Sequence, residues 1–163
     1  MVKARKRFGQ HFLEPAWVGK LVAALAARPD DRFVEIGPGR GAITRPLAAQ
    51  VSHLLAVEVD RDLAAGLRAE AMPSLAVIEG DILETDLSAS IEAWQAAPLG
   101  PAHPVRVVGN LPYNISSPIL FRLLSLASTS GGLIDATLML QREVADRLTA
   151  PPDTREYGVL AIL

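Results

Sequence analysis

Residues 33–41 read Phe-Val-Glu-Ile-Gly-Pro-Gly-Arg-Gly, and the rest of the chain is organised around this stretch. A short apolar run followed by three glycines at alternate positions predicts a buried strand, a sharp turn and a helix that begins near Ile43. Gly37, Gly39 and Gly41 permit positive φ and let a ligand approach the bare main chain. The stretch therefore predicts a strand-turn-helix unit that binds a small polar molecule.

The spacing of these glycines bears on the identity of the ligand. Dinucleotide-binding loops have the pattern Gly-x-Gly-x-x-Gly, with the last glycine inside the helix. Here the pattern is Gly-x-Gly-x-Gly, and Pro38 stiffens the turn. The spacing argues against NAD, although the loop alone leaves open a tight turn that binds nothing.

Composition bounds the class of protein. A chain of 163 residues fits one domain with a real core, and half of its residues are hydrophobic. No apolar run approaches the roughly 20 residues of a membrane span, and the basic N-terminus lacks the apolar stretch of a signal peptide. The absence of cysteine excludes disulfides, thiolate metal sites and a cysteine nucleophile. We therefore expect a soluble cytoplasmic protein that has no metal site and no membrane partner.

The distribution of charge is uneven. A net charge of −2 argues against a nucleic-acid-binding protein, because such domains carry a basic excess. However, Lys3, Arg5, Lys6 and Arg7 crowd into the first seven residues, beside Phe8. This local basic patch predicts contact with a polyanion, and a solvated tail is the alternative.

The pattern of apolar residues places further strands and helices along the chain. After the strand at Phe33, apolar runs predict strands at residues 53–59, 75–78, 105–109 and 136–141. Helices are predicted at residues 15–28, from about Ile43 with Pro46 in the first turn, after the cap residue Asp60, and at 142–148. Another helix has Ser117 as its cap and Pro118 at its first position, with a core face of Ile119, Leu120, Leu123 and Leu124.

This alternation of strands and helices predicts the fold class. It is typical of an α/β domain with a mainly parallel sheet and helices on both faces. Ligands of such sheets bind beyond the carboxyl ends of the strands, near the point where the strand order reverses. The polar residues that follow each strand are therefore the candidates for a binding site.

Acidic residues follow the second and third predicted strands. Glu58 lies near the end of the second strand, where a carboxylate can accept hydrogen bonds from both ribose hydroxyls of a nucleoside. Asp81 follows the third strand and can accept from an exocyclic amine. A helix cap or a solvated loop is the alternative for either acid alone. Their matching positions favour a nucleoside pocket.

The fourth strand leads into Gly-Asn-Leu-Pro-Tyr, which ends at Tyr113. The tyrosine ring can stack on an extruded base. The oxygen of Asn110, together with the carbonyl that precedes or belongs to Pro112, can accept hydrogen bonds from an exocyclic amine. Two such acceptors would fix the amine and aim its nitrogen at an electrophile. A loop with a turn proline and a half-buried tyrosine is the alternative.

Taken in order, these motifs resemble a known family. They are Gly-Gln-His-Phe-Leu, Val-Glu-Ile-Gly-Pro-Gly-Arg-Gly, Glu58, Glu-Gly-Asp, Gly-Asn-Leu-Pro-Tyr-Asn-Ile-Ser-Ser-Pro and Leu-Gln-Arg-Glu-Val-Ala-Asp-Arg. Over nearly its whole length the chain resembles the small-subunit ribosomal RNA adenine N6,N6-dimethyltransferases. The resemblance implies a Rossmann-like class I S-adenosylmethionine-dependent methyltransferase fold, with residues 1–163 as its cofactor-binding domain. It also implies N6 methylation of adenosines in small-subunit ribosomal RNA during ribosome maturation, with the immature 30S subunit as partner.

The resemblance assigns roles to individual residues. The S-adenosylmethionine-binding set is His11, Leu13, Gly37, Gly39, Gly41, Glu58, Asp81 and Asn110. The catalytic set is Asn110, Leu111, Pro112 and Tyr113. RNA contacts are expected from Lys3, Arg5, Lys6 and Arg7, with Arg142 and Arg147 as lesser candidates. His11 stands where the family commonly has Asn.

The family pattern also extends beyond the sequence at hand. Leu163 falls inside what resembles the family's Tyr-Gly-x-Leu helix, so the sheet is expected to be incomplete at its C-terminal side. The resemblance implies two further strands, of seven, and a small helical domain. Without those strands the fifth strand is an apolar edge, which favours pairing with another copy of the chain.

Two other functions remain compatible with these residues. A non-catalytic RNA-binding or ribosome-assembly module could retain the cofactor pocket, and a large-subunit ribosomal RNA adenine methyltransferase would share the same motifs. A nicotinamide-dependent dehydrogenase is a third alternative, against which the glycine spacing and Asn-Leu-Pro-Tyr both argue.

Overall fold

The computed structural model of the protein describes residues 14–96, 104–130 and 132–162. The elements are α1 Pro15–Leu25, β1 Arg32–Ile36, α2 Thr44–Ala48, β2 His53–Glu58, α3 Arg61–Ala69, β3 Leu75–Glu79, α4 Leu87–Ala96, β4 Val105–Asn110, α5 Ser116–Ser130, β5 Leu133–Met139, α6 Arg142–Leu148 and α7 Val159–Ile162. The predicted alternation of strands and helices is confirmed. No helix of these three segments is long and apolar enough to cross a membrane.

The strands form one sheet with the order β3-β2-β1-β4-β5. All four pairings are parallel, as predicted. The chain moves outward from β1 through β2 to β3 and then returns to the other side of β1 for β4 and β5. The strand order therefore reverses beside β1, and the loops that follow β1, β2 and β4 meet there.

Helices cover both faces of this sheet. Alternate side chains of β1 point in opposite directions, so Phe33 packs in one hydrophobic cluster and Val34 in the other. The Phe33 cluster includes Leu25 of α1 and Leu47 of α2. The Val34 cluster includes Ile119 of α5 and residues of α4. The three inner strands, β1, β2 and β4, are buried from both sides, which explains their continuous apolar runs, whereas the edge strands β3 and β5 are partly exposed.

The position of the fifth strand differs from the prediction of 136–141. β5 begins at Leu133, because an irregularity in the register lets Leu133 pair with Val105 of β4. Asp135 looks like a loop residue in the sequence, but within the strand it pairs with the Arg106 guanidinium, whose Nη2 lies 3.0 Å from Asp135 Oδ2. This cross-strand ion pair accommodates an acid that the apolar pattern excluded.

Two predicted helix boundaries also need correction. α1 ends at Leu25, before the predicted residue 28, because Ala26 adopts a left-handed φ of +45°. α5 begins at Ser116, so Ser117 lies inside the helix and is not its cap.

The core face of α5 is also shifted. Its buried apolar side chains are Ile119, Leu123 and Leu126, whereas Leu124 is 39% exposed. These three residues follow the helical spacing i, i+4 and i+7.

β5 forms one edge of the sheet. Among the described strands only β4 pairs with it, which agrees with the predicted edge position. Ile134 of this strand is 60% exposed. Pairing of this edge with a second copy of the chain remains a prediction.

Gly109 lets β4 approach β1 closely. A Cβ built at this position would lie 2.9 Å from the Ile36 carbonyl oxygen and 3.2 Å from Leu111 Cδ2. The backbone oxygen belongs to a central strand and cannot move aside cheaply. The absence of a side chain here therefore sets the spacing between the two strands that lie beside the glycine loop.

We expect Gly109→Ala to destabilise the protein by about 1–3 kcal/mol, because the new methyl group would overpack this contact. Thermal unfolding followed by circular dichroism would measure the loss. Gly66→Ala is the matched control: Gly66 lies inside α3 with no atom within 4 Å of its built Cβ, so alanine should stabilise the helix slightly. Equal midpoints for Gly109→Ala and the unsubstituted protein would contradict the steric argument.

Glu35 is an acid in the middle of the core. It lies in β1 with 1% of its surface exposed, and its Oε2 atom makes no hydrogen bond within the described residues. Burial, with a smaller contribution from the nearby Glu58 carboxylate, raises the pKa of Glu35 to about 7. The Thr44 hydroxyl lowers this pKa, although its geometry falls short of a hydrogen bond. Glu35 is therefore protonated up to near-neutral pH.

This burial predicts pH-dependent stability. The unfolded chain loses the Glu35 proton near pH 4.5 and the folded chain near pH 7, so the stabilisation present below pH 4.5 is lost as the pH rises to 7. The loss corresponds to about 3 kcal/mol. Glu35→Gln carries no proton to lose, and we expect its thermal midpoint to fall much less between pH 5 and pH 8. Calorimetry at both pH values would test this, with the exposed Glu92→Gln of α4 as control. Parallel declines in both variants would refute the assignment.

Candidate functional site

The glycine loop, which we define as residues 37–41, has the geometry that the sequence predicts. Gly37, Gly39 and Gly41 have φ values of +65°, +57° and +76°, a region that favours glycine. The Gly37 amide donates to the Val57 carbonyl at 3.0 Å, and the Gly41 amide donates to the Pro38 carbonyl at 2.9 Å. The loop is therefore a tight turn joined to β2 at its first residue.

Glu58 ties this loop to β2. The side chain is 3% exposed, and its Oε2 accepts a hydrogen bond from the Gly39 amide at 2.8 Å. Its Oε1 accepts from the Asp60 amide at 2.9 Å. Burial raises the pKa of Glu58, whereas the hydrogen bonds from the Asp60 and Gly39 amides favour the charged form. A carboxylate oxygen has two lone pairs and can accept two hydrogen bonds. Each oxygen of Glu58 therefore keeps the capacity to accept one more, from a ligand.

Asp60, the second acid near the end of β2, has a separate role. Asp60, which the sequence predicts as a helix cap, is the N-cap of α3. Its Oδ1 accepts from the Asp62 amide at 3.0 Å and from the Leu63 amide at 3.3 Å. Asp60 thus serves the helix, and Glu58 is the acid that faces the glycine loop.

The sheet register places Asn110 opposite Glu58 across the loop. Ile36 of β1 pairs with Val57 on one side and with Gly109 on the other. Because the strands are parallel, the next residues, Gly37, Glu58 and Asn110, follow at the same level. Asn110 is half-buried at the end of β4. The glycine loop therefore starts between an acid and an amide.

Asp81 lies one strand further from β1. Glu58 pairs with Glu79 at the end of β3, and the Gly80 amide donates to the Glu58 carbonyl at 2.9 Å. Asp81 follows at once. Its Oδ1 accepts from the Leu83 amide at 2.9 Å, and its Oδ2 accepts no hydrogen bond from any described residue. The carboxyl edge of the sheet thus brings together the glycine loop, Glu58, Asp81 and Asn110.

The segment after β4, residues 111–113, begins with a buried side chain and ends with an exposed one. Leu111 is 1% exposed with its side chain in the core, and its amide donates to the Met139 carbonyl at 3.1 Å. The Pro112 carbonyl accepts from the Ile115 amide at 3.2 Å. Of the Leu111 and Pro112 carbonyls, only that of Leu111 accepts no hydrogen bond from the described residues. The Tyr113 ring is 43% exposed, as a stacking surface requires.

Arg45 is a residue at this edge that the sequence analysis missed. Its Nη1 donates to the Arg40 carbonyl at 2.6 Å and to the Gly41 carbonyl at 3.2 Å. Its Nε donates to Glu70 Oε2 at 2.8 Å, just beyond α3. Arg45 therefore fixes the C-terminal half of the glycine loop. Only a spatial neighbour from the following helix identifies this role, so no local spacing in the sequence signals it.

The predicted RNA contacts have different outcomes. Arg142 and Arg147 lie on α6, which follows β5 at the same edge of the sheet. Each has an acidic neighbour one turn away: Arg142 Nε lies 3.7 Å from Asp146, and Arg147 Nη2 lies 2.6 Å from Glu143. The other predicted RNA contacts lie outside the described segments; they are Lys3, Arg5, Lys6 and Arg7. The predicted cofactor residues His11 and Leu13 also lie outside them.

Comparison with known proteins agrees with this geometry. The sequence model of the ribosomal RNA adenine dimethylase family matches residues 1–163. Ribosomal RNA small subunit methyltransferase A of Bordetella petrii is 50% identical over 163 residues, covering 99% of this chain and 57% of the relative. The protein of the same name from Albidiferax ferrireducens is 48% identical over 161 residues, covering 98% of this chain and 58% of the relative. The chain thus spans a little over half the length of these relatives.

Two solved structures are similar over most of the chain. A dimethyladenosine transferase from Plasmodium falciparum superposes with a TM-score of 0.72 and 27% identity, covering 91% of this chain and 50% of that one. The 23S rRNA methyltransferase ErmE superposes with a TM-score of 0.65 and 25% identity, covering 85% and 50%. The Rossmann-like class I methyltransferase fold is confirmed. The chain belongs to the ribosomal RNA adenine dimethylase family.

Proposed function

We propose that residues 1–163 form one S-adenosylmethionine-binding domain that methylates N6 of adenosines in small-subunit ribosomal RNA. The observation that carries the proposal is the buried Glu58 carboxylate, held by the Gly39 and Asp60 amides at the level of Asn110. An acceptor in this position suits a ribose beside the glycine loop. The names of the two relatives support the RNA substrate. A cytoplasmic location and the immature small subunit as partner belong to the same proposal.

The described residues fit the cofactor. A Cβ built on Gly37 would meet no atom within 4 Å, so the main chain there borders open space. Glu58 can accept from the ribose hydroxyls, and Asp81 Oδ2 can accept from the exocyclic amine of the cofactor adenine. Gly39 and Gly41 shape the loop that contacts the rest of the molecule. His11 and Leu13 belong to the proposed set through the family resemblance alone.

The residues after β4 would position the target amine. Bound S-adenosylmethionine supplies an electrophilic methyl group on a sulfonium. The Asn110 side-chain oxygen and the Leu111 carbonyl accept the two N–H groups of the adenosine amine, which aims the nitrogen lone pair at the methyl group. Tyr113 stacks on the extruded adenine, and Pro112 fixes the bend between them. The rate gain comes from this positioning, and the amine proton leaves to solvent after transfer.

Contacts to RNA phosphates are assigned to the basic N-terminal segment. Lys3, Arg5, Lys6 and Arg7 carry the main contacts, since Arg142 and Arg147 are partly neutralised by their acidic neighbours. RNA affinity should accordingly fall with rising salt. The similarity to a 23S rRNA methyltransferase makes large-subunit RNA the alternative substrate.

Asn110→Ala should abolish methyl transfer while cofactor binding stays measurable, because the amine loses one of its two acceptors. Incorporation of labelled methyl groups into immature small subunits, followed by mass spectrometry of digested RNA, measures the transfer and identifies the base. The exposed amide Gln50→Ala is the control and should retain activity. Unchanged turnover in Asn110→Ala would refute the catalytic assignment. Cofactor binding without transfer by the unsubstituted chain would instead favour a non-catalytic RNA-binding module.

Glu58→Gln should weaken binding of S-adenosylhomocysteine at least about tenfold, a loss of roughly 1.4 kcal/mol. The amide would place an NH2 group against the amide donor of Gly39 or Asp60 and remove a charged acceptor for the ribose. Isothermal titration calorimetry measures the change. Glu79→Gln is the control, since Glu79 occupies the paired position on β3 but is exposed. Equal affinities in both variants would exclude Glu58 from the binding site.

A further inference from the structure

Arg122 of α5 reaches across to the turn that follows β3. Its Nη1 donates to the Leu83 carbonyl at 2.8 Å, and its Nη2 donates to the Thr85 carbonyl. Its Nε is buried and makes no hydrogen bond with any residue of the described segments. The guanidinium is therefore committed to the main chain of one short turn, residues 81–85, which we name the Asp81 turn.

The two residues whose carbonyls contact Arg122 also donate hydrogen bonds to Asp81. The Leu83 amide donates to Asp81 Oδ1 at 2.9 Å. The Thr85 amide and hydroxyl both donate to the Asp81 carbonyl, at 2.8 Å and 2.7 Å. Leu83 orients the Asp81 side chain, and Thr85 orients its backbone. Each of them turns its own carbonyl to Arg122.

α5 provides a firm base for this contact. The helix begins at Ser116, three residues after Tyr113, and it is anchored in the core by Ile119 and Leu123. Arg122 lies between these two anchors in sequence. The Asp81 turn is thus fastened to the helix that follows the target-base segment, although β3 and β4 are not neighbours in the sheet.

We propose that Arg122 is a positioning residue: it holds the Asp81 turn so that Asp81 Oδ2 faces the adenine of the cofactor. The inference rests on the proposed function and extends it to the choice of cofactor base. Without the guanidinium, two partly buried carbonyls lose their hydrogen-bond donors and the turn relaxes. The carboxylate then no longer meets the exocyclic amine at a fixed place, and preference for adenine is lost.

The test compares two ligands that differ at C6 of the purine, which bears an amine in one and a carbonyl in the other, and at N1, which is protonated only in the second. S-adenosylhomocysteine carries the amine, whereas S-inosylhomocysteine carries a carbonyl that an oriented Asp81 repels. Calorimetry on the full chain should show a clear preference for the adenine ligand. In Arg122→Met we expect adenine-ligand affinity to fall about tenfold and inosine-ligand affinity to stay constant or rise as the repulsion is relieved, so the ratio collapses. Arg122→Lys, which reaches one carbonyl only, should give an intermediate ratio.

Two further variants separate positioning from loss of structure. Arg155→Met changes an exposed arginine and should leave both affinities unchanged. Adding Arg122→Met to Asp81→Asn should not lower the ratio further, because both act through one carboxylate. A general loss of structure would lower the affinity for both ligands by the same factor. If Arg122→Met does not fold, the ratio measured for Arg122→Lys provides the test.

The outcomes distinguish the two proposals. A collapsed ratio in Arg122→Met, with Arg122→Lys between it and the unsubstituted chain, supports the positioning role. A ratio unchanged by either substitution overturns it while the proposed function stands. Equal binding of both ligands by the unsubstituted chain also overturns it, since there is then no preference to position. Failure of the unsubstituted chain to bind S-adenosylhomocysteine overturns the proposed function itself.

Discussion

The site depends on one carboxylate bridging two amides. Three of the five residues of the glycine loop have no side chain, and these three adopt positive φ. Glu58 supplies the missing constraint from the neighbouring strand, through the Gly39 and Asp60 amides. Burial raises the pKa of Glu58, and the same two hydrogen bonds oppose this shift without cancelling it. The group that shapes the loop is therefore also a hydrogen-bond acceptor beside it.

The hydrophobic core sets the position of the Glu58 carboxylate relative to Asn110. Ile36 pairs with Val57 and with Gly109, so Glu58 and Asn110 both come one residue later. A slip of either neighbouring strand by one residue would turn its functional side chain to the opposite face of the sheet. The apolar side chains on both faces specify the register and thereby the distance between Glu58 and Asn110. Gly109, which has no room for a side chain, lets this register form.

The parts that the sequence predicts are those with a local signal. The glycine turn, the Asp60 cap and the alternation of strands and helices each follow from residue types at short spacing. The predicted start of β5 was wrong because Asp135 lies within the strand, where it forms an ion pair with Arg106 of β4. The roles of Arg45 and Arg122 went unpredicted for the same reason. A contact between distant segments leaves no period in the sequence.

These two arginines show how the carboxyl edge is ordered. Arg45 follows the glycine loop on α2, which packs on the Phe33 face, and Arg122 lies on α5, which packs on the opposite face. Both donate to backbone carbonyls of a loop at this edge. The glycine loop and the Asp81 turn are thus fastened from opposite sides of the sheet. Loops ordered in advance lose less conformational entropy on binding, so more of each contact's free energy contributes to affinity. In the cofactor site proposed above, this fastening orients Glu58, Asp81 and Asn110 toward one ligand without a side chain that spans the site.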